Sequence, residues 1–355
     1  MAAGRLAGPA LEYPFTEIPA PGMVSEVAPG VLWTTMPLPF ALSRINLWLL
    51  QDETGWTAVD SGLRTPETES AWKSLLGDVL GGAPLQRVLV THLHPDHVGM
   101  AGWLTRRFDC PLWMTREEYL TGRLMAADTG REAPPDGLRF YRRAGWDEAG
   151  LDLYRARFGS FGRNLYPMPD SYRRIVDGEV IRIGDRDWTV VVGRGHSPEH
   201  ACLYCAEAKL LISGDQVLPR ISSNVSVHPT EPEADPMADW LASLAHLRAT
   251  IPDDVLVLPS HNEPFRGLHR RLDHLVADQH AALDRLMALL ERPQRAIDVF
   301  DVLFTRKVGR DPALLGFATG EAVACLNYLR QRGRAVRTLD ADGVAWYQRG
   351  PVGPA

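Results

Sequence analysis

Short apolar runs of about four to eight residues, broken by Gly, Pro and Asp, dominate the first two thirds of the chain, which is strand rather than long-helix spacing. Gly30–Thr35, Arg44–Gln51 and Trp56–Val59 are predicted strands, the last two joined through the turn Asp52-Glu53-Thr54-Gly55. Glu67–Leu80 has helical periodicity closed by Gly81-Gly82, and Gln86–Val90 reads as a buried strand. Asp96 is placed to cap a helix over His97–Phe108, before a strand at Pro111–Met114. Residues 116–172 interrupt this rhythm with polar and aromatic helical segments, as an insertion over a core does. Strands resume at Val180–Ile183, Trp188–Val192, Ala201–Cys205, Leu210–Ile212 and Val255–Leu258, with a helix at Pro236–Ala249 before the last. Strands first, then strands alternating with helices, predict an α/β fold of sheets sandwiched between helical layers.

From Leu283 the pattern changes. Helical runs at 283–291, 295–304 and 320–332 precede two short strands, Ala335–Leu339 and Val344–Tyr347, around the turn Asp340-Ala341-Asp342-Gly343. Three helices ending in a hairpin predict a winged-helix-like unit over 283–355. The main body is expected over 23–282, with the insertion at about 116–172, and residues 1–22, rich in Pro, Gly and Ala, are expected to be a flexible segment that lies loose or drapes the surface.

The 355 residues are 45% hydrophobic and 23% charged, with a net charge of −6, so the chain can bury a core and its overall surface is not one built for nucleic acid. The charge is uneven: residues 283–355 hold 11 Arg and Lys against 8 Asp and Glu, a basic tail on an acidic body. No run approaches 18 uninterrupted apolar residues and the N-terminus has no apolar signal core, which predicts a cytoplasmic protein without a membrane partner. Cys110, Cys202, Cys205 and Cys325 are too scattered for a disulfide framework, and the C-x-x-C at 202–205 has no second pair for zinc.

The candidate chemistry starts in Thr91-His92-Leu93-His94-Pro95-Asp96-His97, directly after the apolar Val88-Leu89-Val90. His92 and His94 flank Leu93, so on an extended loop they point the same way and form half of a divalent metal site. Asp96 and His97 follow where the chain turns into a helix, placed either to complete that site or to begin another. Imidazole and carboxylate donors suit zinc, manganese or ferrous iron. Three further segments put a ligand type just after an apolar strand: His196 in Gly195-His196-Ser197, Asp215 in Ser213-Gly214-Asp215, and His261 in Pro259-Ser260-His261. A single loop Asp is usually a turn residue, but this set collects at strand ends, where sheet enzymes keep their functional loops.

The order H-x-H-x-D-H, a distant His, an Asp after Gly and a final His resembles the metallo-β-lactamase-fold hydrolase superfamily over about residues 25–270, in a glyoxalase II-like or lactamase-B-like branch with a C-terminal winged-helix-like domain. The resemblance implies an αββα sandwich and two divalent metal ions, Zn2+ ahead of Fe2+ or Mn2+. It assigns His92, His94 and His196 to the first ion and Asp96, His97 and His261 to the second, with Asp215 bridging both. Asp60, in Val59-Asp60-Ser61-Gly62, matches the family's strand-end aspartate that supports the metal loop from behind. Asp96 is also the expected catalytic group, orienting a metal-bridging hydroxide that cleaves an ester-like bond. Asp215 stands where zinc β-lactamases usually carry Cys, which points away from β-lactams. The intact Asp96-His97 points away from di-iron oxygen reductases.

The implied metallo-hydrolase takes a thioester, lactone or carboxylic ester of a small-molecule or acyl substrate. Aromatic side chains of the insertion, Phe140, Tyr141, Trp146, Tyr154, Phe158, Phe161, Tyr166 and Tyr172, offer surface to roof an acyl pocket, Tyr166 among the substrate-binding candidates. Arg220, Asn224 and His228, downstream of Asp215, are placed to hold a substrate carbonyl or carboxylate. The alternative is an endoribonuclease or other phosphodiesterase, motivated by Arg330, Arg332, Arg334 and Arg337 in the tail. Against it stands the acidic body, so the tail is expected to close the pocket or build a homodimer face rather than bind nucleic acid.

Overall fold

In the computed structural model, which describes residues 8–304, 307–309 and 311–351, the apolar runs form two facing sheets. The first holds seven strands in chain order: β1 (Val24–Ala28), β2 (Val31–Pro37), β3 (Arg44–Gln51), β4 (Trp56–Val59), β5 (Leu85–Leu89), β6 (Leu112–Met114) and β7 (Arg173–Arg174). It is antiparallel through β4 and parallel from β4 to β7. The second runs β12-β11-β10-β9-β8, from β8 (Val180–Ile183), β9 (Arg186–Gly193), β10 (His200–Cys205), β11 (Leu210–Gly214) and β12 (Leu256–Pro259).

Between the sheets lie Trp33, Trp48, Trp188, Leu203 and Leu258, each almost wholly buried, with Trp33 and Trp48 stacked 6.1 Å apart. Side chains of this size stabilise the fold by about 1.5–3 kcal/mol each. The outer face of the first sheet is covered by α1 (Pro66–Ser74), α3 (Ala101–Phe108) and α4 (Arg116–Ala127), after the single-turn α2 (Pro95–Val98). The outer face of the second is covered by α7 (Pro236–Thr250) and α8 (Leu268–Leu289), against which pack α5 (Pro135–Ala144), α6 (Glu148–Arg157), α9 (Phe300–Leu303), α10 (Pro312–Gln331) and the hairpin β13 (Ala335–Leu339)–β14 (Ala345–Arg349). The layers are therefore αββα, as expected.

Four local departures from the sequence reading have physical causes. The helix expected over 67–80 widens after Ser74 into a π turn, Leu75–Val79, and Leu75, Leu76 and Leu80 are all buried on this route. The helix expected from His97 is broken at Gly99. A Cβ there would lie 2.4 Å from the Pro95 carbonyl and 2.5 Å from that of Gly62, and Met100 N–H donates across to Gly62 O at 3.0 Å. Asp96 lies inside α2 and caps nothing, the N-cap position being His94. The helix expected from 283 begins fifteen residues earlier, at Leu268, with Leu268, Leu272, Leu275, Leu283 and Leu286 on its buried face. The final helix likewise starts at Pro312 rather than 320.

Residues 8–22, expected to be flexible, drape both cores. Leu11 and Tyr13 pack on the helical side and Phe15 and Ile18 on the sheets. Glu12 and Arg266 exchange backbone hydrogen bonds at 3.3 and 2.9 Å. The aromatic groups of the insertion are mostly spent on packing. Phe140, Tyr141, Trp146 and Tyr154 form one ring cluster, and Trp146 Nε1 donates to Thr319 Oγ1 of α10 at 2.9 Å. Tyr172 stacks on Tyr119 at 3.8 Å. Cys202 and Cys205 are buried and unpaired, one on each side of the second sheet. No helix among the described residues is long and apolar enough to cross a membrane.

The tail is fastened by polar contacts to the stretch before α7. Buried Asn327 Nδ2 donates to the Pro232 and Ala234 carbonyls at 3.0 and 2.9 Å. Asn327→Ala removes both hydrogen bonds of a buried side chain and should lower unfolding free energy by about 1–2 kcal/mol in denaturant titrations, whereas an unchanged midpoint would show these bonds to be dispensable.

Candidate metal centre

The functional loops leave both sheets at one edge. His92 and His94 follow β5, His196 follows β9, Asp215 follows β11 and His261 follows β12. Two groups result, with donor atoms no more than 4.8 Å apart inside each: His92, His94, His196 and Asp215, and beside them Asp96, His97 and His261. His92 Nε2 lies 3.0 Å from His94 Nδ1 and 3.3 Å from His196 Nε2. The Asp215 carboxylate spans the groups, with Oδ2 3.5 Å from His196 Nε2 and Oδ1 3.6 Å from the Nε2 atoms of both His97 and His261. Asp96 Oδ2 is 3.4 Å from His261 Nε2 and 3.8 Å from His97 Nε2.

Each imidazole is aimed by what its other nitrogen touches. His97 Nδ1 meets Asp60 Oδ2 at 2.8 Å, His196 Nδ1 donates to Asn224 O at 2.8 Å and His261 Nδ1 to Arg44 O at 3.2 Å, leaving Nε2 of each toward the centre. Asp60 ends β4 in the left-handed region, φ +64°, where an Asp is tolerated and most residues are strained. Its Oδ1 accepts from Thr91 N–H at 2.8 Å, so one carboxylate fixes both the start of the ligand loop and His97.

Electrostatics separates the two groups. Burial and neighbouring imidazoles hold His92 well below the usual histidine range and bring His94 down to about 3. Burial acts the same way on His97 and His261, but nearby carboxylates outweigh it: Asp60, Asp96 and Asp215 hold His97 well above its ordinary value, and Asp215 and Asp96 raise His261. Asp96, despite burial, is drawn down to about 2 by His97 and His261. His97 Nε2 and Asp215 Oδ1 are buried and have no hydrogen-bond partner. A dense set of imidazole nitrogens and ionised carboxylates with such orphaned atoms fits divalent cations.

The substrate candidates are placed differently. Arg220 forms a paired contact with Glu263, at 2.9 and 3.2 Å, and lies over Tyr13. Asn224 reaches the site through its carbonyl, while its side-chain amide donates to Glu321 at 2.7 Å. Tyr166 donates to Glu69 at 2.8 Å under the Arg64 guanidinium, and His228 is exposed. The structure thus brings together the seven ligand candidates and Asp60, but gives the side chains of Arg220, Asn224 and Tyr166 other partners.

Three residues of the site escaped the sequence reading. Asn46 of β3 donates through Nδ2 to Pro259 O at 2.8 Å and Asn262 O at 2.6 Å, bracketing His261. A lone amide inside the apolar run Arg44–Gln51 was the available signal. His200 of β10, neutral because burial and His196 lower it, accepts from Asp215 N–H at 3.0 Å and stacks on His92. Its signal was strand alternation with the buried Cys202. Glu118 of α4 is fully buried, its carboxyl raised to about 7 by burial against the pull of three donors, and nothing in its helix sequence marks it.

The family model described as the metallo-beta-lactamase superfamily matches residues 42–290, and that of the metallo-beta-lactamase-like C-terminal domain matches 283–350. A beta-lactamase domain protein from Burkholderia ambifaria superposes with a TM-score of 0.88 at 44% identity, covering 96% of this chain and 98% of that one. An atrochrysone carboxyl ACP thioesterase of Aspergillus fumigatus is 23% identical over 71% of this chain, which spans 46% of that protein. The acyl-coenzyme A thioesterase MBLAC2 of Gallus gallus is 27% identical over 53% of this chain and 63% of its own length.

Because Asp60 serves Thr91 and His97 together, Asp60→Ala leaves a buried imidazole and a backbone N–H unanswered. It should cost about 3 kcal/mol of stability in denaturant titrations of the metal-free protein; a loss below about 0.5 kcal/mol would mean that the loop holds itself.

Proposed function

This chain belongs to the metallo-β-lactamase superfamily, and on that footing we propose that it is a dinuclear metal-dependent hydrolase of acyl ester-like bonds, with thioesters ahead of lactones and carboxylic esters. The observation that carries this reading is the convergence of the two ligand groups on Asp215. His92, His94 and His196 would hold one cation, Asp96, His97 and His261 the other, with Asp215 shared, and zinc suits this donor set best. When bound, such cations supply Lewis acidity and a water acidic enough to ionise near neutral pH.

The chain's own residues do the rest. Asp96, ionised throughout the neutral range, can accept a hydrogen bond from the attacking water and fix its direction. His200 and Asp60 hold Asp215 and His97 in place from behind. The C-terminal unit walls the loop after Asp215, since Gly320 O accepts from Val227 N–H at 3.0 Å and Glu321 takes the Asn224 amide. The thioester preference is supported by the two thioesterase relatives, while an aspartate, not a thiol, at position 215 speaks against β-lactams.

Phosphodiester cleavage has less support. Arg330 and Arg337 pair with Glu233, Arg332 with Asp235 at 2.7 Å and Arg334 with Asp284 at 3.5 Å, so the tail arginines are engaged by carboxylates. A groove of about 530 Å³ beside them, lined by Asp284, Glu291 and Arg349 as well, has both signs of charge.

His94→Ala and Asp215→Ala should each abolish turnover of acyl thioesters and reduce metal content in elemental analysis. A wild-type protein that cleaves phosphodiesters but no thioester, lactone or aryl ester would overturn the assignment.

The pKa directions give a second test. In the metal-free protein the surrounding carboxylates favour the protonated forms of His97 and His261, and a proton on either must be lost for it to bind a cation, whereas His92 and His94 are held in the neutral form. Affinity of the Asp96–His97–His261 group should therefore climb as pH rises, with proton release visible by calorimetry in buffers of different ionisation heat. Cation binding without proton release at pH 7 would contradict it.

A further inference from the structure

Glu118 is the one fully buried glutamate among the described residues, and its two oxygens bind groups on two separate ligand loops. Oε2 accepts from Leu93 N–H at 2.8 Å, the peptide between His92 and His94. Oε1 accepts from Ser197 Oγ–H at 2.6 Å, next to His196, and from Glu199 N–H at 2.7 Å. The same end of α4 adds Thr115 Oγ1 donating to Glu199 O at 2.7 Å and Glu117 N–H donating to Glu199 Oε2 at 2.9 Å. One rigid helix turn therefore fixes the distance between the loop that carries His92 and His94 and the loop that carries His196.

The other group is held by different means. His97 leans on Asp60, and the His261 loop hangs on β3 through Asn46 Nδ2, Asn46 N–H to Ser260 O at 2.7 Å, and Arg44 O. Glu118 makes none of its three hydrogen bonds to that loop or to the residues flanking His97.

We propose that Glu118 is the positioning residue of the three-imidazole group alone, setting the cation affinity of His92, His94 and His196 while leaving the Asp96–His97–His261 group unaffected. The inference rests on the reading that both groups take cations. A carboxylate suits this place because all three of its partners donate; a neutral amide of the same shape would set an NH2 against one of them, at Leu93 or at the Ser197–Glu199 pair. The expected loss is that of an outer partner of metal ligands, about 10–100-fold in affinity.

The test uses two single-group backgrounds of the full chain, titrated with cobalt(II) against a chromophoric chelator. His261→Ala weakens the second group and leaves the three-imidazole group intact, and His196→Ala does the reverse. Adding Glu118→Gln should lower cobalt affinity about 10–100-fold in the His261→Ala background and leave it within twofold in the His196→Ala background. Should Glu118→Gln fail to fold, Ser197→Ala, which removes one of the three donors and keeps the carboxylate, should show the same selectivity with a smaller loss. Equal losses in both backgrounds, or none in either, would overturn the inference and leave the two-cation reading standing. A wild-type protein that binds no cobalt, or binds one equivalent only, would overturn that reading and this inference with it.

Discussion

Five imidazoles and two carboxylates crowd one edge of this sandwich, and their mutual placement is the constraint to which the surrounding structure answers. Packed apolar residues cannot hold so many polar groups in register. Each loop is therefore anchored from outside by a partner that satisfies one atom and leaves another facing inward: Asp60 for His97, the Asn224 carbonyl for His196, the Arg44 carbonyl for His261 and His200 for the Asp215 peptide. Backbone conformation serves the same purpose. Asp60 and Gly214 both take positive φ immediately before the loops they launch, and a Cβ on Gly214 would sit 2.4 Å from the His200 ring.

The gathering of these His and Asp side chains at one edge was legible in the sequence because they follow apolar runs directly, so strand prediction and site prediction reinforce each other. Arg44–Gln51, Trp56–Val59 and Val180–Ile183 appear with the expected bounds, and the layer order follows from them. What stayed hidden is the support. Glu118 lies 25 residues from Leu93 and about 80 from Ser197 and Glu199, and a glutamate in the first turn of a helix ordinarily signals nothing beyond the helix dipole. Its importance exists only once α4 has packed between the two loops.

The tail arginines show the opposite failure, a strong local signal with another use. Arg330, Arg332, Arg334 and Arg337 look like phosphate ligands when read along the chain. In three dimensions Glu233 and Asp235, about a hundred residues upstream, meet three of them, and the positive tail and acidic body attract each other. Charge asymmetry along a sequence can thus report an internal contact as readily as an external partner. The insertion's aromatic residues follow the same logic, since Trp146 reaches Thr319 and ties the insertion to α10.

The 22 residues of α8 run unbroken from the loop after His261 into the C-terminal unit, and one apolar cluster continues from Leu211 and Trp240 through Leu272 and Leu286 to Leu326. During synthesis the ligand loops emerge well before the helix that completes this cluster. The outer layer of the second sheet and the C-terminal unit share one core and complete it together. Contacts between parts so far apart in the chain carry a larger loop-closure cost than the neighbouring strand pairs of the first sheet.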